Sequence, residues 1–149
     1  MFNKIKKILS KEDLERISSE IKNAEEKTSA EIVVSIKRKI PFIYKNNINK
    51  FLSYAFNFYK IYETKNRTGI LIIFILKDKK FYIIGDEGIN KKVQQKKWDE
   101  ISNFVSSEIK NCGLLSGIIN SIKLTSEIVA QNFPLEEFDK NEIPDKVRF

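Results

Sequence analysis

Residues 68–76 read TGILIIFIL and decide the fold, because residues 70–76 are apolar without interruption. A strand with one solvent-exposed face alternates apolar and polar residues, whereas an unbroken apolar run of this length is typical of a strand covered on both faces. Residues 77–80 (KDKK) make a polar turn, and residues 81–84 (FYII) supply another apolar segment. A connection this short predicts an antiparallel hairpin between the two strands.

A helix and a further strand precede this hairpin. Ser10 and Asp13 have the spacing of a helix-capping pair, and apolar residues follow at helical intervals until the helix ends near Lys27. Residues 31–37 (EIVVSIK) are rich in β-branched side chains and predict a strand, which Pro41 closes. The chain therefore contributes at least three strands to one sheet.

Three further helical patterns complete the expected fold. Apolar residues recur every three or four positions over 46–62, again from Trp98 to a stop at Gly113, and from about 114 to 132, where Pro134 ends the pattern. Helices before, between and after buried strands predict an α/β protein, namely a three-layer α/β/α sandwich with a central mixed β-sheet and helices on both faces. We expect an N-terminal extension at 1–9, one domain at 10–133 and an extended tail at 134–149.

The formal net charge of +7 invites comparison with nucleic-acid-binding proteins. Only four of the 27 basic residues are Arg, however, and base and phosphate recognition favours the planar Arg fork. The charge pattern therefore indicates a solvated, lysine-rich surface, and no nucleic acid partner is expected.

The cysteine and histidine counts exclude two kinds of site. Cys112 is the only cysteine and histidine is absent, so neither an internal disulfide nor a usual zinc site can form. Residues 1–9 lack the apolar stretch of a signal peptide, and no apolar run approaches the ~20 residues of a membrane span. We expect a cytoplasmic protein without a transmembrane segment.

Carboxylates are the candidate functional groups, because without histidine the acid or base chemistry near neutral pH falls to Asp, Glu, Lys or metal-bound water. Asp86 and Glu87 occupy the glycine-flanked turn GDEG after a predicted strand, and Glu31 begins another strand. Ligands of open α/β sheets gather at strand ends, so these side chains are expected to share one crevice, to which Thr28 and Ser29 add hydroxyls. Such oxygens suit calcium or magnesium. The same residues also suit ordinary turns, in which Asp86 bonds its own backbone.

Several segments resemble, in order, those of a known family. They are residues 25–34 (EEKTSAEIVV), 68–72 (TGILI), 85–89 (GDEGI), the pair Gly113 and Gly117, and the ending that contains 133–134 (FP) and 141–145 (NEIPD). Together they resemble the TPM domain family, and the ending is similar to that of a short bacterial subgroup. The resemblance covers about residues 10–149.

The resemblance implies a function as well as a fold. Bacterial relatives are linked to calcium binding and plant relatives to acid phosphatase activity. For this chain it implies binding of a divalent cation, calcium first and magnesium second, by Asp86, Glu87, Glu31 and Thr28 in an acidic crevice. The alternatives are a weak metal-dependent acid phosphatase and a non-catalytic module that binds a protein or a membrane surface. A specific protein partner and an oligomeric state are not implied.

Overall fold

The computed structural model describes residues 8–135 and 147–149, so residues 1–7 of the predicted extension at 1–9 and residues 136–146 of the predicted tail at 134–149 lie outside the described residues. The rest confirms a mixed α/β protein. Its elements are α1 (Lys11–Glu25), β1 (Glu31–Lys37), a 3₁₀ turn (Phe42–Tyr44), α2 (Ile48–Phe58), β2 (Gly69–Ile75), β3 (Lys80–Gly85), α3 (Glu87–Asn90), α4 (Gln95–Cys112) and α5 (Leu114–Asn132).

The three strands form one sheet in the order β1-β2-β3. β1 and β2 run parallel with Glu31 opposite Gly69, whereas β2 and β3 run antiparallel with Ile70 opposite Gly85. The predicted hairpin is therefore confirmed. Every residue of the central strand β2 is buried, as its unbroken apolar sequence predicts, although the strand ends at Ile75, one residue earlier than expected.

The start of α1 agrees with its predicted capping signal, whereas the bounds of α2 differ from the predicted ones. The predicted capping pair is present, since the Asp13 amide donates to the Ser10 hydroxyl at 3.1 Å and the Ser10 amide donates to the Asp13 carboxylate at 3.0 Å. α2 is shorter than predicted: Asn47 caps its start, and Lys60 adopts the left-handed region at φ 56°, which prevents continuation to Tyr62. Within the described ranges, no helix has the length and apolarity required to cross a bilayer.

Alternate strand residues divide the core into two clusters, because successive side chains of a strand point to opposite faces. Ile32, Val34 and Ile72 belong to a cluster that includes apolar residues of α1, α4 and α5. Trp98 of α4, which is fully buried, is part of this cluster, as its sequence position predicts. The intervening residue Val33 belongs to a second cluster, which includes apolar residues of α2.

The last described residues extend the sheet beyond β1. Arg148 donates its amide to the Val34 carbonyl at 2.8 Å and accepts from the Ile36 amide at 2.9 Å. Val147 is 8% exposed and belongs to the first core cluster. The outer edge of β1 is therefore paired with chain from more than a hundred positions away, and the tail contributes to the core.

Candidate functional site

The predicted acidic residues lie at the end of the sheet where β1 and β2 begin and β3 ends. Glu31 is paired with Gly69 in the parallel ladder, and the Gly69 carbonyl accepts the Asp86 amide at 2.9 Å. Glu31 and Asp86 therefore flank Gly69 of β2, one from each neighbouring side of the sheet. The backbone places two acids that are far apart in the sequence at the same end of the sheet, with β2 between them.

Asp86 is a buried residue, 6% exposed, with all of its described polar contacts at short distance. Its Oδ1 caps the short helix α3 by accepting the Glu87 amide at 2.8 Å. Its two carboxylate oxygens also accept from Arg67, with Nε 2.7 Å from Oδ2 and Nη2 2.9 Å from Oδ1. This fork-to-fork geometry is the strongest form of a carboxylate hydrogen bond.

Arg67 belongs to the candidate site through its contact with Asp86, although its place in the sequence does not single it out. It lies two residues before β2, where nothing in the linear sequence connects it with the turn after β3. Its pKa is raised, first by the hydrogen bond to Asp86 and further by the charges of Asp86 and Glu87, while desolvation acts in the opposite direction. Glu87 makes a looser ion pair with it, with Oε1 3.6 Å from Nη1. Arg67 therefore offsets one of the two negative charges of the acidic turn.

A close backbone approach fixes the Arg67 loop against α3. The Gly88 amide donates to the Arg67 carbonyl at 2.9 Å. A Cβ atom at Gly88 would lie 2.2 Å from the Asn66 carbonyl oxygen and 2.7 Å from that of Arg67. The second glycine of the GDEG turn is consequently required by packing, which is a structural reason for the motif.

The four predicted ligands differ in exposure and in their present contacts. Glu87 is exposed, whereas Glu31 and Thr28 are 3% and 2% exposed. The Thr28 hydroxyl donates to the Phe133 carbonyl and accepts the Ala30 amide at 3.2 Å, which ties the start of β1 to the end of α5. Of these four residues, only Asp86 lines a described cavity.

That cavity, of about 700 Å³, extends along β3 between α2 and α4. Asp86 and Asp99 both line it, and no Lys or Arg is among its described lining residues. Its other polar lining consists of amide and hydroxyl groups: Asn49, Ser53, Asn57, Tyr82, Gln95 and Ser102. Asp99, which the sequence analysis did not single out, accepts from the Gln95 amide at 3.0 Å. We call this cavity the β3 crevice.

A smaller cavity of about 360 Å³ lies near the same end of the sheet. Its described lining has no carboxylate and includes Ser29, Thr68, Lys91 and Lys92. The Lys92 ammonium donates to the Asn132 carbonyl at 3.1 Å and lies 4.9 Å from the centre of the Phe133 ring. This cavity, which we call the lysine cavity, is chemically suited to an anion.

The oxygen groups in the β3 crevice fit a divalent cation only partly. A carboxylate has about four lone-pair sites, and Asp86 already uses three of them. Calcium takes six to eight oxygen ligands. Across residues 8–135 and 147–149, no group of three or more His, Cys, Asp or Glu side chains is arranged to hold a metal ion. An ion bound here would keep much of its water.

Comparisons with known proteins agree on the fold. A family model described as TPM domain matches residues 3–127. The solution structure of the BA42 protein from the psychrophilic bacterium Bizionia argentinensis is similar, with a TM-score of 0.84, 28% identity and 94% of each chain covered. The N-terminal domain of a protein from P. gingivalis has a TM-score of 0.64 at 12% identity, with 85% of this chain and 79% of that chain covered, which is a likeness of fold alone. A search of curated proteins found no match.

Proposed function

Because the chain belongs to the TPM domain family, we propose that it binds a divalent cation, calcium first, in the β3 crevice. One observation carries the proposal: in a chain with a formal net charge of +7, the described lining of this crevice contains two carboxylates and no basic side chain. Calcium and magnesium take oxygen ligands, and in the described part of the chain the one cationic group in contact with a lining carboxylate is Arg67, which holds Asp86 from outside the described lining.

Asp86 and Asp99 are the ligands that this proposal favours, with amide oxygens of the lining and water completing the shell. Glu87 is exposed and adjacent to Asp86, so it can turn toward an ion. Glu31 and Thr28 are buried and would ligate only if the strand ends opened. The Arg67 guanidinium competes with the ion for Asp86, and we therefore expect weak binding, in about the millimolar range of low-affinity calcium sites.

Calorimetric titration with calcium and with magnesium tests this proposal. We expect Asp99→Asn and Asp86→Asn each to weaken binding about tenfold, as loss of a group that holds a metal ligand or is one commonly does. Asp78→Asn is the matched control, because it removes the same charge from an exposed turn at the other end of β3. The proposal fails if the wild-type protein shows no saturable binding, or if all three variants bind as the wild type does.

A weak acid phosphatase is the second candidate function, and the lysine cavity is the observation that favours it. Two lysines with hydroxyls and amides beside them suit a phosphate group. Release of phosphate from an aryl phosphate should depend on the added cation and fall in Lys91→Gln and Asp86→Asn variants. Rates equal to those of buffer, with the cation present, exclude this function and leave cation binding untouched.

We also propose the finer architecture and location that the sequence predicts. The two apolar clusters, one with residues of α1, α4 and α5 and the other with residues of α2, support a three-layer α/β/α sandwich for the predicted domain at 10–133, to whose core Leu9 and Val147 also contribute. The single cysteine supports a cytoplasmic location. Limited proteolysis tests the boundaries, since a resistant fragment that stops well inside 10–133 contradicts them.

A further inference from the structure

A cluster of exposed apolar side chains lies outside both cavities. Phe42 and Ile43, on the 3₁₀ turn after β1, are 86% and 82% exposed. A protein rarely presents neighbouring large apolar side chains to water without a use for them, since a contiguous apolar patch usually marks a binding surface. The turn follows the opposite end of β1 from Glu31, so this cluster lies away from the candidate cation site.

Aromatic rings continue the exposed surface from the turn onto α2. Tyr44 is stacked with Tyr54 at 5.8 Å between ring centres, and Tyr54 is stacked with Phe58 at the same distance. Tyr54 and Phe58 are themselves 49% and 63% exposed. We define these five residues, namely Phe42, Ile43, Tyr44, Tyr54 and Phe58, as the aromatic patch.

The chain segment that carries the aromatic patch contains charged side chains of one sign. Residues 32–62 contain no Asp or Glu, although the chain has 20 of them elsewhere. The same segment contains six basic residues: Lys37, Arg38, Lys39, Lys45, Lys50 and Lys60. Lys39 and Lys45 flank the turn and are exposed, and the Lys37 ammonium lies 5.6 Å from the centre of the Tyr59 ring. The patch is therefore apolar at its centre and cationic at its rim.

We propose that the aromatic patch binds an anionic phospholipid surface, with Phe42 and Ile43 inserted at the boundary between headgroups and acyl chains. Binding to such a surface depends on buried apolar area together with attraction between basic side chains and anionic headgroups. Lysine suits the rim because its aliphatic stem can follow the apolar surface while the ammonium stays among the headgroups.

The packing of the rings favours a lipid over a single-stranded nucleic acid. Nucleic acid bases bind aromatic side chains by stacking on open ring faces. Tyr54 lies between Tyr44 and Phe58, so both neighbours already occupy positions that bases would take. Ile43, which is 82% exposed beside Phe42, provides no stacking face. A bilayer interface, in contrast, accepts both aliphatic and aromatic side chains.

Co-sedimentation with vesicles tests the proposal on the full chain. We expect binding to vesicles that contain phosphatidylglycerol, little binding to pure phosphatidylcholine, and weaker binding at high salt. Phe42→Ser should lower the partition coefficient at least tenfold, because the free energy of burying a Phe side chain is lost. Phe104→Ser is the matched control, since Phe104 is 48% exposed on α4, outside the patch. Equal losses in the two variants overturn the proposal.

A second pair of variants separates local charge from net charge. Lys39→Gln with Lys45→Gln should lower the partition coefficient about fivefold per residue. Lys96→Gln with Lys110→Gln removes the same charge from exposed positions of α4 and should leave binding nearly unchanged. Equal effects of the two pairs would indicate attraction by overall charge alone and overturn the assignment of the patch.

Fluorescence distinguishes insertion from other uses of the patch. Phe42→Trp adds a tryptophan at the exposed turn, whereas the native Trp98 is fully buried and serves as a check on folding. A blue shift of emission on adding anionic vesicles supports insertion. The proposal is wrong if no vesicle shifts the emission, if a single-stranded oligonucleotide binds the patch while vesicles do not, or if sedimentation shows that the patch joins two copies of the chain.

Discussion

Arg67 holds both carboxylate oxygens of Asp86, and this pair joins the loop before β2 to the turn after β3. Arg67 precedes the β2–β3 hairpin and Asp86 follows it, so their contact links the two chain segments at one end of the sheet. The pair is unequal in its surroundings, because the Asp86 side chain is 5% exposed and that of Arg67 is 43% exposed. A cation that binds Asp86 must compete with the Arg67 guanidinium, whose side chain is partly exposed to solvent.

This difference in exposure predicts that the loss of Arg67 and the loss of Asp86 lower the stability of the protein by different amounts. Arg67→Ala leaves a buried carboxylate without its counter-charge, whereas Asp86→Asn leaves an arginine that can turn to solvent and keeps an effective helix-capping side chain. We therefore expect Arg67→Ala to lower the melting temperature more than Asp86→Asn. The double variant should be no less stable than Arg67→Ala. The opposite order would show that the pair is not what stabilises this end of the sheet.

The same competition predicts a gain of cation affinity. Arg67→Gln removes the positive charge beside Asp86 while retaining a side chain that can hydrogen-bond. We expect tighter calcium binding in this variant, by several-fold, in the same calorimetric titration that tests the β3 crevice. Arg38→Gln, at the far end of β1, is the control for loss of one positive charge. Unchanged or weaker binding in Arg67→Gln would indicate that Asp86 is not a ligand.

Gly88→Ala should destabilise the protein by about 1–3 kcal/mol, the usual cost of forcing a methyl group into a packed site. The added Cβ would meet two backbone carbonyl oxygens, which cannot move aside as a flexible side chain would. Urea unfolding followed by Trp98 fluorescence measures the change. Lys91→Ala, at an exposed position just after α3, is expected to stay within about 0.5 kcal/mol of wild type.

Deletion of residues 147–149 should lower the free energy of unfolding by about 3 kcal/mol. Two backbone hydrogen bonds to β1 contribute about 1 kcal/mol each, and burial of Val147 adds a comparable amount. The deletion also leaves β1 as an open edge, so we expect concentration-dependent aggregation. Arg148→Ala keeps both backbone bonds and should change stability little. Equal losses for the deletion and for Arg148→Ala would contradict this account.

Raising the pH into the alkaline range should lower the stability of the folded state through ionisation of Tyr82. Burial, and then the charge of Asp78, raise the pKa of Tyr82 above its ordinary value near 10. The folded state thus holds the phenolic proton more tightly than the unfolded state. This contribution to stability is fully present below pH ~10 and is lost as the pH rises through the folded pKa. Tyr82→Phe should flatten that decline, measured as melting temperature against pH, whereas Tyr62→Phe at an exposed position should not.

Those parts of the molecule that depend on near neighbours in the chain could be predicted from the sequence. Ser10 and Asp13 carry their capping contact within four residues, and residues 70–76 encode a doubly covered strand by composition alone. The site could be predicted only in part. The glycine-flanked turn singles out Asp86 as a candidate, but Arg67 and Asp99 come to the candidate site through strand pairing and helix packing, which no local pattern specifies. The sequence places the end of α2 too late because Lys60 adopts the left-handed backbone conformation, which a lysine does not indicate.

The pairing of Arg148 with β1 affects the order in which this protein can be assembled on the ribosome. β1, β2 and β3 leave the exit tunnel well before residues 147–149, so a nascent chain exposes the unpaired backbone of β1 for much of its synthesis. During that interval another strand can occupy the edge, whether from a chaperone or from a neighbouring nascent chain. Residues 147–149 then cover this edge of β1, and slow translation of the stretch between β3 and residue 149 would prolong the vulnerable period.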